Sequence, residues 1–166
     1  FFTFWLALKN SPSSGLSWSN TVNAQTVECW FKMSIPSGTS ISDHMTILVN
    51  RRTGTENDLS AYWIRFNPWS GNVEYVTRGA SIGYTNKLVE RPYLDRWYHV
   101  AEVFNAGKMD LYVNGEGVLS QAPIPLGVLP GADPWKFQLG AVSPNGEWGF
   151  LGKIDEVAIY GTALTA

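Results

Sequence analysis

A disulfide-stapled scaffold is excluded at the outset. Cys29, in the run TVECWFKM, is the single cysteine among 166 residues, so no intramolecular disulfide forms. No basic cluster flanks it, and its expected role is that of a small buried hydrophobe. Charge is also scarce. Asp, Glu, Lys and Arg make up 16% of the chain with a formal net charge of -2, against roughly 25% charged residues in an average globular domain. Lys and Arg are scattered, and the only adjacent pair, Arg51-Arg52, sits in a turn-like stretch. The basic patch of a nucleic-acid reader is therefore missing. No apolar run approaches the roughly 18 residues of a membrane span. The opening FFTFWLALKN lacks the basic start and cleavage site of a secretory signal. Helical periodicity is nearly absent throughout.

Aromatics, glycine and proline are plentiful: eight Trp, seven Tyr, eight Phe, 16 Gly and nine Pro. Turn residues break the chain every 8 to 15 residues or so, the spacing of an all-β sandwich or barrel. Strands are expected over 2–9, 26–33, 45–50, 60–66, 72–77, 97–104, 109–113, 135–141 and 154–160. In TVECWFKM, Val27, Cys29 and Phe31 alternate with Glu28, Trp30 and Lys32. In WYHVAEVF, Trp97, His99, Ala101 and Val103 alternate with Tyr98, Val100, Glu102 and Phe104. One face of each strand fills the space between two sheets; the other is unusually aromatic for a surface. Length and pattern predict one all-β domain over 1–166, a two-sheet antiparallel β-sandwich of jelly-roll type. The missing initiator Met sets the expectation that it is a piece of a larger protein.

Three stretches together resemble the laminin-G-like, concanavalin A-like jelly rolls. TVECWFKM is similar to their Thr-hydrophobic-Glu-x-Trp strand. RWYHVAEVFNAGKMDLYVNGEGV is similar to their central hairpin, Trp-x-His-Val-Ala followed by Leu-Tyr-Val-Asn-Gly. FLGKIDEVAIYGTALT is similar to their closing strand, Gly-x-Ile-Asp-Glu-Val-x-Ile-Tyr, with its Ala-Leu tail. Order and spacing agree over nearly the whole chain. The departure is at the start, where FFTFWLAL stands in place of the acidic Phe-Asp-Gly strand. The resemblance implies that Trp97, Val100, Tyr112 and Val113 pack the sandwich, that His99 is a core histidine and that Glu28 is structural. It also implies a structural calcium with Asp155 as a ligand, although the acidic partners at the start are not visible. No other cofactor is expected.

The same fold hosts glycoside hydrolases, which need two carboxylates about 5 to 9.5 Å apart. The Glu-x-Asp-x-x-Glu strand of the laminarinase-type relatives is absent. Glu56/Asp58 lie in a turn, and Asp155/Glu156 are expected on opposite sides of a strand. A pair drawn from Glu28, Glu74 and Glu102 on separate strands is the remaining catalytic arrangement. No Gly-x-Ser-x-Gly elbow, phosphate loop or Cys/His metal spacing appears.

Sugar recognition needs flat aromatic faces and a few planar polar groups. Loop aromatics supply the first: Trp69 in NPWSGN, Trp148 in SPNGEWGF, Tyr84 and Tyr93 in 79–95, and Trp135 after GADP. Asn67, Asn72, Arg78, Asn145 and Glu147 supply the second. The expected ligand-binding set is Trp69, Asn72, Arg78, Tyr84, Asn145 and Trp148, on rim loops at 67–72, 79–93 and 142–149. The resemblance implies a non-catalytic recognition module for glycans or a cell-surface or virion partner, extracellular, without nucleic-acid or membrane contact. A structural or adhesion domain of a phage tail or coat protein is the second reading, and a carbohydrate-active enzyme the third.

Overall fold

The computed structural model describes residues 6–7, 24–52, 60–78, 83–123, 135–141 and 148–165, and all regular structure among them is strand. In chain order these are β1 (Leu6–Ala7), β2 (Ala24–Met33), β3 (Met45–Arg52), β4 (Ser60–Asn67), β5 (Asn72–Arg78), β6 (Gly83–Val89), β7 (Trp97–Asn105), β8 (Lys108–Val113), β9 (Glu116–Pro123), β10 (Trp135–Leu139) and β11 (Gly152–Tyr160). One sheet runs β1-β11-β2-β7-β8-β9, the other β10-β3-β4-β5-β6. Every pairing is antiparallel except the short β1, which runs parallel to β11.

The two-residue alternation sorts side chains as the sequence predicts. Val27, Cys29, Phe31 and Met33 of β2 are buried with Tyr98, Val100 and Phe104 of β7, while Glu28, Trp30, Lys32, Trp97 and His99 lie on the opposite face. From the second sheet, Leu48, Ile64, Val73 and Tyr75 join the same core. Phe31 anchors it, stacked on Tyr98 at 5.5 Å and edge-on to Phe150 at 6.2 Å. Cys29 is fully buried, and burial beside Glu28 and Glu102 pushes its thiol far above the ordinary range, so it is an inert core residue. The hydroxyl of Thr26 pins the chain's tail: it donates to the Thr162 carbonyl and accepts the Leu164 amide, both at 2.9 Å.

Two strands depart from the sequence reading. β6 occupies the middle of the segment assigned to a rim loop at 79–93, so Tyr84 lies on a strand paired with Thr77, not in a loop. β9 follows the Asn114-Gly115 turn where no strand was expected. Both are edge strands, and an edge strand has one fewer neighbour demanding apolar complementarity. Trp97 and His99 also differ from expectation. Neither belongs to the core; Trp97 is 36% exposed and His99 half-buried, both on the outer face of the six-stranded sheet. Asp155 and Glu156 do not face opposite sides either. A bulge between Asp155 and Ala158, with Glu156 at φ 48°, leaves both exposed. The residues 53–59, with Glu56 and Asp58, lie outside those described.

Candidate functional site

On the five-stranded sheet, Val49, Trp63 and Val76 stand directly opposite one another on β3, β4 and β5. They form a second apolar cluster apart from the main core. Because Ile64 and Tyr75 point inward, this cluster lies on the outer face of the sheet. Two residues further along, Arg65 and Glu74 face each other on the same side. Strand β4 thus carries Trp63 and Arg65 outward and Ile64 and Phe66 toward the core.

Trp63 is the buried base of an aromatic platform. Trp148 lies parallel to it, 5.1 Å between centroids and 5° between planes. The guanidinium of Arg65 sits 4.6 Å from the Trp63 ring centroid. The Trp63 indole N–H donates to the Thr46 hydroxyl at 3.3 Å, which fixes the ring on the sheet. His44 fills the angle between the rings: its centroid is 6.0 Å from Trp63, 5.5 Å from Trp148 and 4.8 Å, edge-on, from Trp69. Burial, followed by the nearby Arg65 charge, lowers the His44 pKa below its ordinary value, so the imidazole is neutral at neutral pH.

Trp69 is the exposed wall, with 70% of its surface open to solvent. Its position is set by the NPWSGN turn between β4 and β5. Asn67 Oδ1 accepts the amides of Trp69 at 3.0 Å and Ser70 at 3.3 Å. The Asn67 amide nitrogen and the Ser70 hydroxyl both donate to Glu74 Oε1 at 2.9 Å. Gly71, at φ 71°, closes the turn by donating its N–H to the Asn67 carbonyl at 2.8 Å. Glu74 Oε2 is 3.6 Å from Arg65 Nη2. One carboxylate therefore holds the turn and the guanidinium together.

Trp148 enters from another part of the chain. Its carbonyl accepts the Thr46 amide at 2.8 Å, and two residues later Phe150 plunges into the core, its amide bonded to the Gly140 carbonyl. Trp148 itself is held at φ 51°. A bulky residue in that region costs on the order of 1–3 kcal/mol, and such strain gathers at ligand sites.

Of the residues expected from the sequence, Trp69 and Trp148 come together through His44. Asn72 stands at the foot of the same turn, where its Oδ1 accepts the Arg91 amide at 3.3 Å. Arg78 is at the other end of β5, about 20 Å along the strand from Asn72, and Tyr84 pairs there with Thr77. Arg78 lies two residues beyond Val76, the cross-strand partner of Trp63, so its backbone adjoins the platform at the end opposite Asn72, with Tyr84 on the neighbouring strand. Asn145 and Glu147 lie outside the described residues. The catalytic arrangement from Glu28, Glu74 and Glu102 does not assemble. Glu74 is on the five-stranded sheet, Glu28 on the outer face of the six-stranded sheet, and Glu102 on its inner face opposite Val27. Asp155 Oδ1 accepts the Glu156 amide at 2.9 Å. Among the described residues no group of three His, Cys, Asp or Glu side chains forms a metal site there or elsewhere. Sequence reasoning did not assign Trp63, His44 or Arg65 to the ligand site, and it weighed Glu74 only as a catalytic acid. Their signal was the alternation Trp63, Arg65 against Ile64, Phe66, which marks an aromatic and a cation on the non-core face of one strand.

Two antiparallel sheets enclosing one core, with an aromatic platform on an outer sheet face, define a concanavalin A-like β-sandwich. A family model described as the concanavalin A-like lectin/glucanases superfamily matches residues 8–166, and the chain belongs to that family. Among curated protein sequences none matches it. Among solved structures, it is similar to domain 4 of AbnA, an extracellular arabinanase from Geobacillus stearothermophilus, in complex with arabinotriose. The identity is 27% and the TM-score 0.63, over 91% of this chain and 65% of that one. It shares its fold with the carbohydrate-binding module of a Ruminococcus gnavus sialidase bound to α2,3-sialyllactose, at 19% identity and a TM-score of 0.64, over 86% of this chain and 78% of that one. It also shares it with Trypanosoma rangeli sialidase, at 15% identity and a TM-score of 0.61, over 87% of this chain but only 21% of that one. Among the described residues no helix is long and apolar enough to cross a membrane.

Proposed function

We propose that this domain is a non-catalytic carbohydrate-recognition module, displayed outside the cell as part of a larger protein, that binds a glycan on the outer face of the five-stranded sheet. The observation that carries this reading is the exposed Trp69 ring, held by a hydrogen-bonded turn beside the Trp148–Trp63 stack and the Arg65–Glu74 pair. Trp69 and Trp148 offer apolar faces to a sugar ring, and Arg65 and His44 offer planar polar groups to its hydroxyls, with the buried Glu74 behind them. Glu74 is committed to Asn67 and Ser70, an arrangement suited to positioning rather than to proton transfer. The arabinotriose complex of AbnA domain 4 and the sialyllactose complex of the R. gnavus module support the ligand class.

Calorimetric titration with arabinotriose and with α2,3-sialyllactose, preceded by a glycan array, tests the proposal. Losing roughly 50 Å² of apolar contact weakens a complex by about 1.3 kcal/mol, or about tenfold. Trp69→Ala and Trp148→Ala are each expected to lose that much affinity for the glycan that binds. Unchanged affinity in both variants removes the site. A second reading, an adhesion domain with a protein partner, is favoured by the exposure of Tyr93 (71%) and Leu94 (49%). No glycan binding across the array, with a partner protein retained through Tyr93, decides for it.

A further inference from the structure

The opposite side of the molecule carries a second concavity that the reading above does not use. It is an open hollow of about 510 Å³ on the outer face of the six-stranded sheet, lined by Trp30, Arg96, Trp97, His99, Asn114 and Gly115. Trp30 and His99 are direct cross-strand partners, their rings 5.1 Å apart and tilted by 48°. Trp97 lies two residues before His99 on the same face, opposite Lys32, whose Nζ is 5.4 Å from the indole centroid. Asn114, in the left-handed turn Asn114-Gly115, closes one end. Its side-chain oxygen accepts the His99 amide and its own amide donates to the His99 carbonyl, both at 2.9 Å.

Of the side chains lining the hollow, Arg96 is the one with a permanent charge, and the exposed carboxylates Asp95 and Glu116 flank the lining in sequence. Glu28, beside His99 on the same face, is already engaged: Oε1 accepts the Tyr160 hydroxyl at 2.9 Å, and Oε2 lies 3.4 Å from His99 Nε2. Arg96 is exposed at the rim with its guanidinium 5.7 Å from the Tyr98 ring centroid, and the Lys32 ammonium lies over Trp97. Two partly open indoles with a guanidinium and an ammonium next to them make a surface for a ring with an apolar face and an anionic substituent. A guanidinium fork matches a carboxylate in two parallel hydrogen bonds.

We propose that this hollow is a second ligand site, taking a saccharide unit that carries a carboxylate, of the uronic acid type. Trp30 and Trp97 receive the ring, Arg96 receives the carboxylate, and the side-chain NH2 of Asn114 donates to a hydroxyl. The site is independent of the one on the five-stranded sheet, because the core lies between the two faces.

The probe is trigalacturonate, titrated into the ¹⁵N-labelled protein, with galactotriose as the neutral control. The eight indole N–H signals locate binding directly. Trp30 and Trp97 are expected to shift while Trp63 and Trp148 stay in place, and galactotriose is expected to bind at least about tenfold more weakly. Arg96→Gln is expected to erase that preference with an unchanged thermal midpoint, since that side chain is exposed, and Trp97→Ala to abolish binding. Shifts confined to Trp63 and Trp148 overturn the proposal and place the acidic sugar in the other site. No shifts at all, or equal affinity for the two trisaccharides, overturn it as well.

Discussion

Glu102 is the residue least at home in its surroundings. It lies on the core face of β7 between Val27 and Leu111, 2% exposed, with Oε2 unpartnered among the described residues. Burial raises its pKa well above the ordinary 4.5. An acid whose folded pKa exceeds its unfolded one costs nothing below the unfolded value. The cost grows as pH rises above about 4.5, by up to about 1.4 kcal/mol per pH unit until the folded pKa is reached. Glu102→Gln is therefore expected to match the wild type near pH 4 and exceed it in stability at pH 7, read by urea unfolding at both. A wild type equally stable relative to the variant at both pH values contradicts the burial argument. At this same scale the site was half legible. Trp69 and Trp148 stand out because an aromatic in a turn has no strand neighbour to explain it. Trp63 and His44 do not, because a strand Trp and a lone His look like packing until the sheet shows which face they occupy.

Strands and turns follow local rules that the chain mostly advertises. Ala106 and Gly107, joining β7 to β8, both have positive φ (48° and 81°), the signature of a tight right-twisting hairpin turn. Alanine pays a steric penalty there that asparagine largely avoids, so Ala106→Asn is expected to raise stability by about 0.5–1 kcal/mol in thermal or urea unfolding. Gly152, at the start of β11, is a different case. A Cβ there would lie 2.0 Å from the Lys32 carbonyl oxygen and 2.8 Å from the Phe150 ring. Backbone cannot yield as a side-chain tip can, and Gly152→Ala is expected to cost about 3 kcal/mol, at the upper end for overpacking. A loss under about 0.5 kcal/mol would show that β11 shifts freely against β2. The two strands absent from the sequence reading were both edges. β6 contains Asn86 and Lys87 and β9 ends in Pro123, residues tolerated where one side of the strand has no ladder to complete.

At the scale of the whole molecule, the sheets are assembled from distant pieces. β2 pairs with β7 on one side and β11 on the other, and Tyr160 bonds Glu28 across 132 residues of sequence. Such topologies close large loops before they gain contacts, so refolding from urea is expected in milliseconds to seconds. A stopped-flow amplitude completed within microseconds would be incompatible with this pairing. The same assembly decides function, because each sheet turns one face inward and leaves the other to solvent. By itself the sequence determined the all-β class, the alternation in TVECWFKM and WYHVAEVF, the buried cysteine and the two loop tryptophans that meet at the platform. Those features depend on a side chain's own chemistry and on the two-residue period of a strand. Only the tertiary structure decided that Trp63, Arg65 and Glu74 share a face with Trp148, that Glu28 and Glu102 part to opposite sides, and that Trp97 is open while Glu102 is buried. Cross-strand register brings residues together from far along the chain, and no local pattern encodes which strand becomes whose neighbour.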